Sequence, residues 1–184
     1  MTDLRFRNAT PRDVDVIVAL VESAYRGDAS RVGWTTEADL LDGQRTDADD
    51  VRASIARPGS VILLAIDAAT GEPVACAHVA QEDGNGYFGM FSVRPTLQGG
   101  GVGKQLLARA ERLVFNHWRL PAMCMTVIDV RAELIAFYER RGYVRTGVKK
   151  PFPYGDERFG QPRRDDLRFE VLEKRAPTRA VSRA

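Results

Sequence analysis

The segment Gln98-Gly99-Gly100-Gly101-Val102-Gly103-Lys104 constrains this chain more than any other. An apolar, strand-like run closed by Pro95 precedes it. Leu106, Leu107, Ala110, Leu113, Val114 and Trp118 follow, spaced as one face of a long helix. Glycines between a strand and a helix put bare backbone at a helix start, where unpaired N–H groups and the positive end of the helix dipole attract an anion. Glycine also lets a large anion come close. Phosphate or pyrophosphate is therefore the natural ligand.

Two nucleotide-binding patterns fail on spacing. A P-loop needs four residues between its glycines and Ser or Thr after the lysine. Here Gly99 and Gly103 enclose three residues, and Gln105 follows Lys104. A dinucleotide fingerprint started at Gly99 and Gly101 needs a third glycine where Lys104 stands. What remains is Q-x-x-G-x-G, filled by Gln98, Gly101 and Gly103.

The rest of the chain alternates between two periods. Leu4–Arg7 alternates as a half-buried strand. Thr10-Pro11 opens a helix carried by Val14, Ile17, Val18, Val21 and Tyr25, and Gly27–Gly33 breaks it. Thr35 or Thr36 is expected to cap a second short helix through Leu41, with another helical piece over Asp47–Ala56. Strands are expected at Val61–Ile66, Val74–Val79 and Tyr87–Val93, the last two joined by the hairpin signal Asp83-Gly84-Asn85-Gly86. A buried strand at Met123–Ile128, a helix through Leu134–Tyr138, and strands at Tyr143–Val148 and Leu167–Leu172 complete the order. Lys149–Asp166 is longer than an ordinary hairpin loop.

Bulk properties exclude several classes. A 184-residue chain suits one domain, expected over 1–174, with 175–184 as a short basic tail containing Arg175, Arg179 and Arg183. A formal net charge of +2 gives no electrostatic case for a nucleic-acid or membrane partner. No apolar stretch approaches the roughly 20 residues that span a bilayer, and Met1–Asn8 lacks a signal-peptide core. Cys76 and Cys124 sit in apolar runs as core residues, and two histidines are too few for a plausible zinc site. The expectation is a cytoplasmic, metal-free protein.

Q-x-x-G-x-G resembles the pyrophosphate-binding motif of the GCN5-related N-acetyltransferase (GNAT) family. Met90-Phe91-Ser92-Val93-Arg94-Pro95 resembles that family's strand before the motif, and Phe137-Tyr138-Glu139-Arg140-Arg141-Gly142-Tyr143 resembles its later "YExxGF" helix end. The likeness runs from about Leu4 to Leu172. It implies a mixed α/β fold, with a mostly antiparallel, twisted central sheet and helices on both faces. It also implies acetyl-CoA as co-substrate and transfer of acetyl to a primary amine in a ternary complex.

By the same resemblance, coenzyme A is held by Phe91, Ser92, Val93 and Gln98, by Gly99, Gly100, Gly101, Val102, Gly103 and Lys104, and by Tyr138. Its pantetheine would lie where the strand Met90–Val93 splays from Met123–Ile128. The Val93 N–H would donate to the thioester oxygen, and Tyr138 would protonate the departing thiolate, unless it is merely a core residue with a wet tip. The chain departs from the family at Arg131, where many members have Asn. Arg131 either contacts the cofactor or is a solvated charge.

Glu82 is the candidate general base, with His78 on the same strand face; each also reads as structural, and an amine that binds neutral needs neither. Tyr25, Trp34, Glu37 and Arg45, with Phe152 and Tyr154, are candidates for the acceptor wall, where an aromatic and acidic lining would suit a cationic amine. The expected acceptor is a small-molecule or peptide amine, and a homodimer is a common outcome for domains of this family. Two rival readings keep the cofactor: an acyl-CoA-binding regulatory module, and a transferase of a longer acyl group.

Overall fold

Apolar periodicity decides which way each strand faces. In the computed structural model, which describes residues 3–177, strand β3 (Ser60–Asp67) sends Leu63 and Ala65 to one face of a sheet and Ile62, Leu64 and Ile66 to the other. Both faces are covered, which is why the run reads as continuously apolar instead of alternating. Helices α4 (Val102–Arg112) and α5 (Ala132–Glu139) pack on the first face through Leu106, Leu107, Ala110 and Ile135. Helices α1 (Val14–Tyr25) and α3 (Ala48–Ala56) pack on the second through Ile17, Val21 and Val51.

Seven strands form the sheet in the order β1-β3-β4-β5-β6-β9-β7. They are β1 (Leu4–Asn8), β3, β4 (Pro73–Glu82), β5 (Asn85–Val93), β6 (Ala122–Ile128), β7 (Val144–Pro151) and β9 (Arg168–Arg175). All neighbours pair antiparallel except β5 and β6, so the mixed, mostly antiparallel sheet with helices on both faces is as the sequence implied.

The parallel pair positions the site. β5 and β6 meet only at Gly86↔Met123 and Tyr87↔Cys124. Beyond that, β5 stays with β4 and β6 follows β9 to Ile128↔Phe169, so the two strands fork. A register shift between Cys76 and His78, with Met90 at φ +49°, puts a bulge in β5 where the fork opens.

One sequence expectation fails. No helix forms from Thr35 or Thr36 through Leu41. A single turn there has Leu41 N–H donating to the Glu37 carbonyl, and Thr36 Oγ1 accepts from Ala38 N–H. The chain then straightens into β2 (Leu41–Asp42), which pairs with β8 (Gln161–Pro162) of the long late loop. Tertiary pairing, reinforced by Arg163 on the Asp42 carboxylate at 2.8 and 2.5 Å, overrides the local helical signal. The only helical turn in the preceding break is α2 (Gly27–Ser30). Of the basic tail, Arg175 closes β9 opposite Ala122, while Arg179 and Arg183 lie outside the described residues. No helix among the described residues is long and apolar enough to cross a membrane.

Candidate functional site

The fork opens into two cavities. The first, about 420 Å³, lies where β5 hands over to α4 and is lined by Gln98, Gly99, Gly101, Gly103 and Lys104, with Phe91, Val93, Trp34 and Phe137. Gly101 is the N-cap of α4 and holds φ +86°, a left-handed conformation that glycine adopts without strain. A Cβ on Gly99 or Gly101 would meet nothing within 4 Å, so both face open space. Gly103 is small for another reason: its Cβ would stand 3.0 Å from Phe91 Cζ, so it lets α4 lie close on β5.

No acidic residue occupies the first turn of α4, and Arg140 and Arg141 line the same cavity. Arg141 Nη1 donates to the Phe137 carbonyl at 2.6 Å, while its buried Nε has no partner among the described residues. Orphan N–H groups, three cationic side chains and open glycines suit a pyrophosphate. The residues present therefore fit coenzyme A.

Gln98 acts as a staple. Its Nε2 donates to Thr35 Oγ1 at 2.8 Å and to the Val93 carbonyl at 3.0 Å, and its Oε1 accepts from Thr35 N–H at 3.3 Å. A Cβ on Gly33 would fall 2.5 Å from that Oε1, so a side chain there would push the glutamine amide out of this position. The stapled loop lays Trp34 against Phe137, ring centroids 5.7 Å apart. Trp34, expected on the acceptor wall, thus lies on the glycine side.

The edge of β5 turns a backbone donor away from β4. Arg94 N–H bonds to the Val74 carbonyl, so that pair is the hydrogen-bonded one and Val93, one residue back, turns its N–H away from β4 into the fork. Ser92 is buried, with Oγ donating to the Met90 carbonyl at 3.3 Å, and Val102 packs in the core. Neither Ser92, Val102 nor Gly100 lines the cavity.

The second cavity, about 190 Å³, lies on the other side of Tyr25, Phe91 and Leu134, which line both. Tyr138 lines it, and burial pushes its phenol well above the ordinary value, so the hydroxyl keeps its proton at neutral pH. Tyr25 donates its hydroxyl to the Phe91 carbonyl beside the β5 bulge. Phe152 and Phe159 of the late loop also line this cavity, so that loop folds over the site. Tyr154 stays outside, its hydroxyl held between Arg164 O and Leu167 N.

Glu37 is buried here between two arginines. Arg26 Nη1 lies 2.6 Å from its Oε2 and Arg131 Nη1 2.7 Å from its Oε1. Burial alone would raise the carboxyl's pKa, but Arg131, Arg45 and Arg26 outweigh it and hold the group ionised. Arg131 lines this cavity and not the glycine-lined one, and its guanidinium is held by Glu37 and the Thr35 carbonyl, so it is not a solvated charge. The candidate bases lie further out. Glu82 pairs with Arg57 at 2.9 Å on a neighbouring cleft, separated by Tyr87. His78 Nε2 lies 2.8 Å from Ser60 Oγ, and burial lowers its pKa to about 4. Sequence reasoning missed Arg26, Tyr87 and Arg141, because no spacing pattern marks any of them.

The "Acetyltransferase (GNAT) family" model matches residues 20–143. An "IAA acetyltransferase" of Azospirillum brasilense is 31% identical over 149 residues, 78% of this chain and 85% of that protein. The ribosomal-protein-alanine N-acetyltransferase of Brucella melitensis superposes with a TM-score of 0.68 at 18% identity, over 93% of this chain and 99% of that one. A protein described as a streptothricin acetyltransferase of Bacillus anthracis str. Ames, solved with acetyl coenzyme A, gives 0.56 at 17% identity, over 69% of this chain and 68% of the other.

Proposed function

The chain belongs to the acetyltransferase (GNAT) family, and we propose that it moves an acetyl group from acetyl-CoA to a primary amine by direct attack in a ternary complex. The observation that carries this reading is the meeting of a glycine-lined cavity and an aromatic one across Tyr25, Phe91 and Leu134, beside the free edge of β5. When bound, acetyl-CoA supplies a thioester: the amine nitrogen bonds to the acetyl carbon, the C–S bond breaks, the nitrogen gives up a proton and the sulfur takes one.

Each residue then has a task. The amides at the start of α4 hold the pyrophosphate, with Lys104, Arg140 and Arg141 adding positive charge. The Val93 N–H, directed into the fork, donates to the thioester oxygen, where negative charge grows. Tyr138 holds a proton for the sulfur, because its phenol stays neutral and faces the cavity. Cys76 is buried, lines neither cavity and has its thiol pushed up to about 12, which supports direct transfer over a thioester on that cysteine. Neither Glu82 nor His78 lines the acceptor cavity, so neither is assigned as base.

Calorimetric titration with acetyl-CoA tests the cofactor half. Wild type binds with micromolar or tighter affinity, and Gly101→Glu and Gly103→Glu each weaken binding by at least about 100-fold, roughly 2.7 kcal/mol. Circular dichroism and urea melts establish that the variants are folded. A folded wild type that does not bind acetyl-CoA contradicts the reading.

A further inference from the structure

The acceptor cavity is far more positive than its one acidic residue suggested. Arg26, Arg45 and Arg131 line it against Glu37 alone, an excess of two positive charges. Glu37 is already occupied on both oxygens by Arg26 and Arg131. Glu22, the nearby acid, turns Oε1 to the backbone N–H groups of Arg45 and Thr46, at 2.6 and 3.0 Å.

Two guanidiniums retain unused donors. Arg26 is 7% exposed, and its Nε and Nη2 are buried with no partner among the described residues. Arg45 lies over the Tyr25 ring at 5.4 Å, and its guanidinium has no side-chain hydrogen bond among the described residues. Buried donors without acceptors are rare and costly. Excess like charge in a poorly hydrated site is costly too. One ligand feature offsets the charge and engages the open donors of the half-buried Arg45: an anionic oxygen pair, which guanidinium binds in bidentate fashion.

We infer that the acceptor is a compact amine carrying a carboxylate and an apolar side chain, an amino acid in size and charge. This rests on the acetyl-transfer reading of the same site. Arg45 holds the carboxylate, with Arg26 and Arg131 behind it adding positive charge, while Phe152, Phe159 and Tyr87 cover the apolar part. At about 190 Å³ the cavity is somewhat larger than the ~150 Å³ that accommodates benzene, so a ring with a short polar arm is near its limit. A polyamine is disfavoured by repulsion, the reverse of the cationic acceptor expected from an acidic lining.

The same field favours loss of the amine's proton although the cavity's one carboxylate, Glu37, is taken up by two arginines. Nearby positive charge favours the neutral form of an amine and lowers its pKa. Arg26, Arg45 and Arg131 thereby raise the share of neutral nucleophile at pH 7.

The test uses the full chain with acetyl-CoA and L-leucine, L-phenylalanine, their methyl esters and spermidine, scored by N-acetyl product. N-acetyl-L-phenylalanine and its methyl ester are titrated separately as binding probes. The free acids are expected to exceed their esters at least tenfold in kcat/KM, with spermidine lowest, and the N-acetyl acid to bind at least tenfold tighter than its ester. Arg45→Gln is expected to bring both acid-to-ester ratios close to one while acetyl-CoA affinity stays within twofold. Equal handling of acid and ester, preference for spermidine, or an Arg45→Gln variant with an unchanged ratio overturns the inference. It is equally overturned if neither N-acetyl probe binds wild type. Acetyl-CoA binding in the same preparations tells the two possible failures apart: if it holds while acid selectivity is absent, only the acceptor assignment falls.

Discussion

The two halves of the site are built from different material. The cofactor half is mostly contiguous backbone: seven residues from Gln98 to Lys104, open glycines and the first turn of one helix. The acceptor half is a side-chain network gathered from α1, the loop before β2, the loop before α3, the start of α5 and the late loop. Backbone binding depends on local conformation, so its requirements appear as consecutive letters. A side-chain network depends on who meets whom, and the meeting reverses meaning: Glu37 reads as an acid awaiting a cation, yet two arginines already hold it.

The sharpest way to break this contrast is Glu37→Leu. In a backbone-built site one side chain matters little, whereas here its loss leaves three buried or half-buried arginines without their anion. Urea denaturation should show a loss of about 3–5 kcal/mol, the usual consequence of removing one partner from a buried ion pair. A loss under about 1 kcal/mol would mean that water or chain relaxation already solvates Arg26 and Arg131. Tyr138→Phe probes the proton donor: kcat should drop about 100-fold or more while acetyl-CoA affinity stays within twofold. Unchanged turnover under conditions where chemistry limits would make Tyr138 a packing residue only.

Gln98→Leu tests whether the motif's glutamine serves as a staple. It should raise the KM for acetyl-CoA about three- to tenfold, by freeing the loop that carries Thr35 and Trp34, the scale of one or two net hydrogen bonds. An unchanged KM would mean that the loop holds itself.

A separate, pH-dependent effect is expected at His78, outside both cavities. Its folded pKa of about 4 lies below the ordinary ~6.5, so the unfolded chain takes up the proton first. The neutral ring's contribution is fully present above about pH 6.5 and is lost as pH falls toward 4. Urea midpoints should therefore decline across that window, less steeply in His78→Gln. Identical slopes would remove His78 from the acid limb.

Legibility followed the same division. The strand–glycine–helix unit, the hairpin at Asp83–Gly86 and the doubly covered β3 were readable because each obeys a local period or turn rule. The helix through Leu41 was misread because β2 pairs with β8, some 120 residues later in the chain, and no local signal marks that pairing. Trp34 was expected on the acceptor wall but lines the glycine-lined cavity, because Gln98 pins its loop there. Arg131 was left between cofactor contact and solvated charge because its partner, Glu37, is 94 positions away.

The most direct test follows coenzyme A thiol release from acetyl-CoA in the presence and absence of L-phenylalanine, with the N-acetyl product counted by mass spectrometry. Direct transfer predicts thiol release that requires the amine, matches the product one to one, and fails in Gly101→Glu. Acetyl-CoA that binds tightly but gives no acetylated product with any amine tried would contradict it and leave an acyl-CoA-binding module instead of an enzyme.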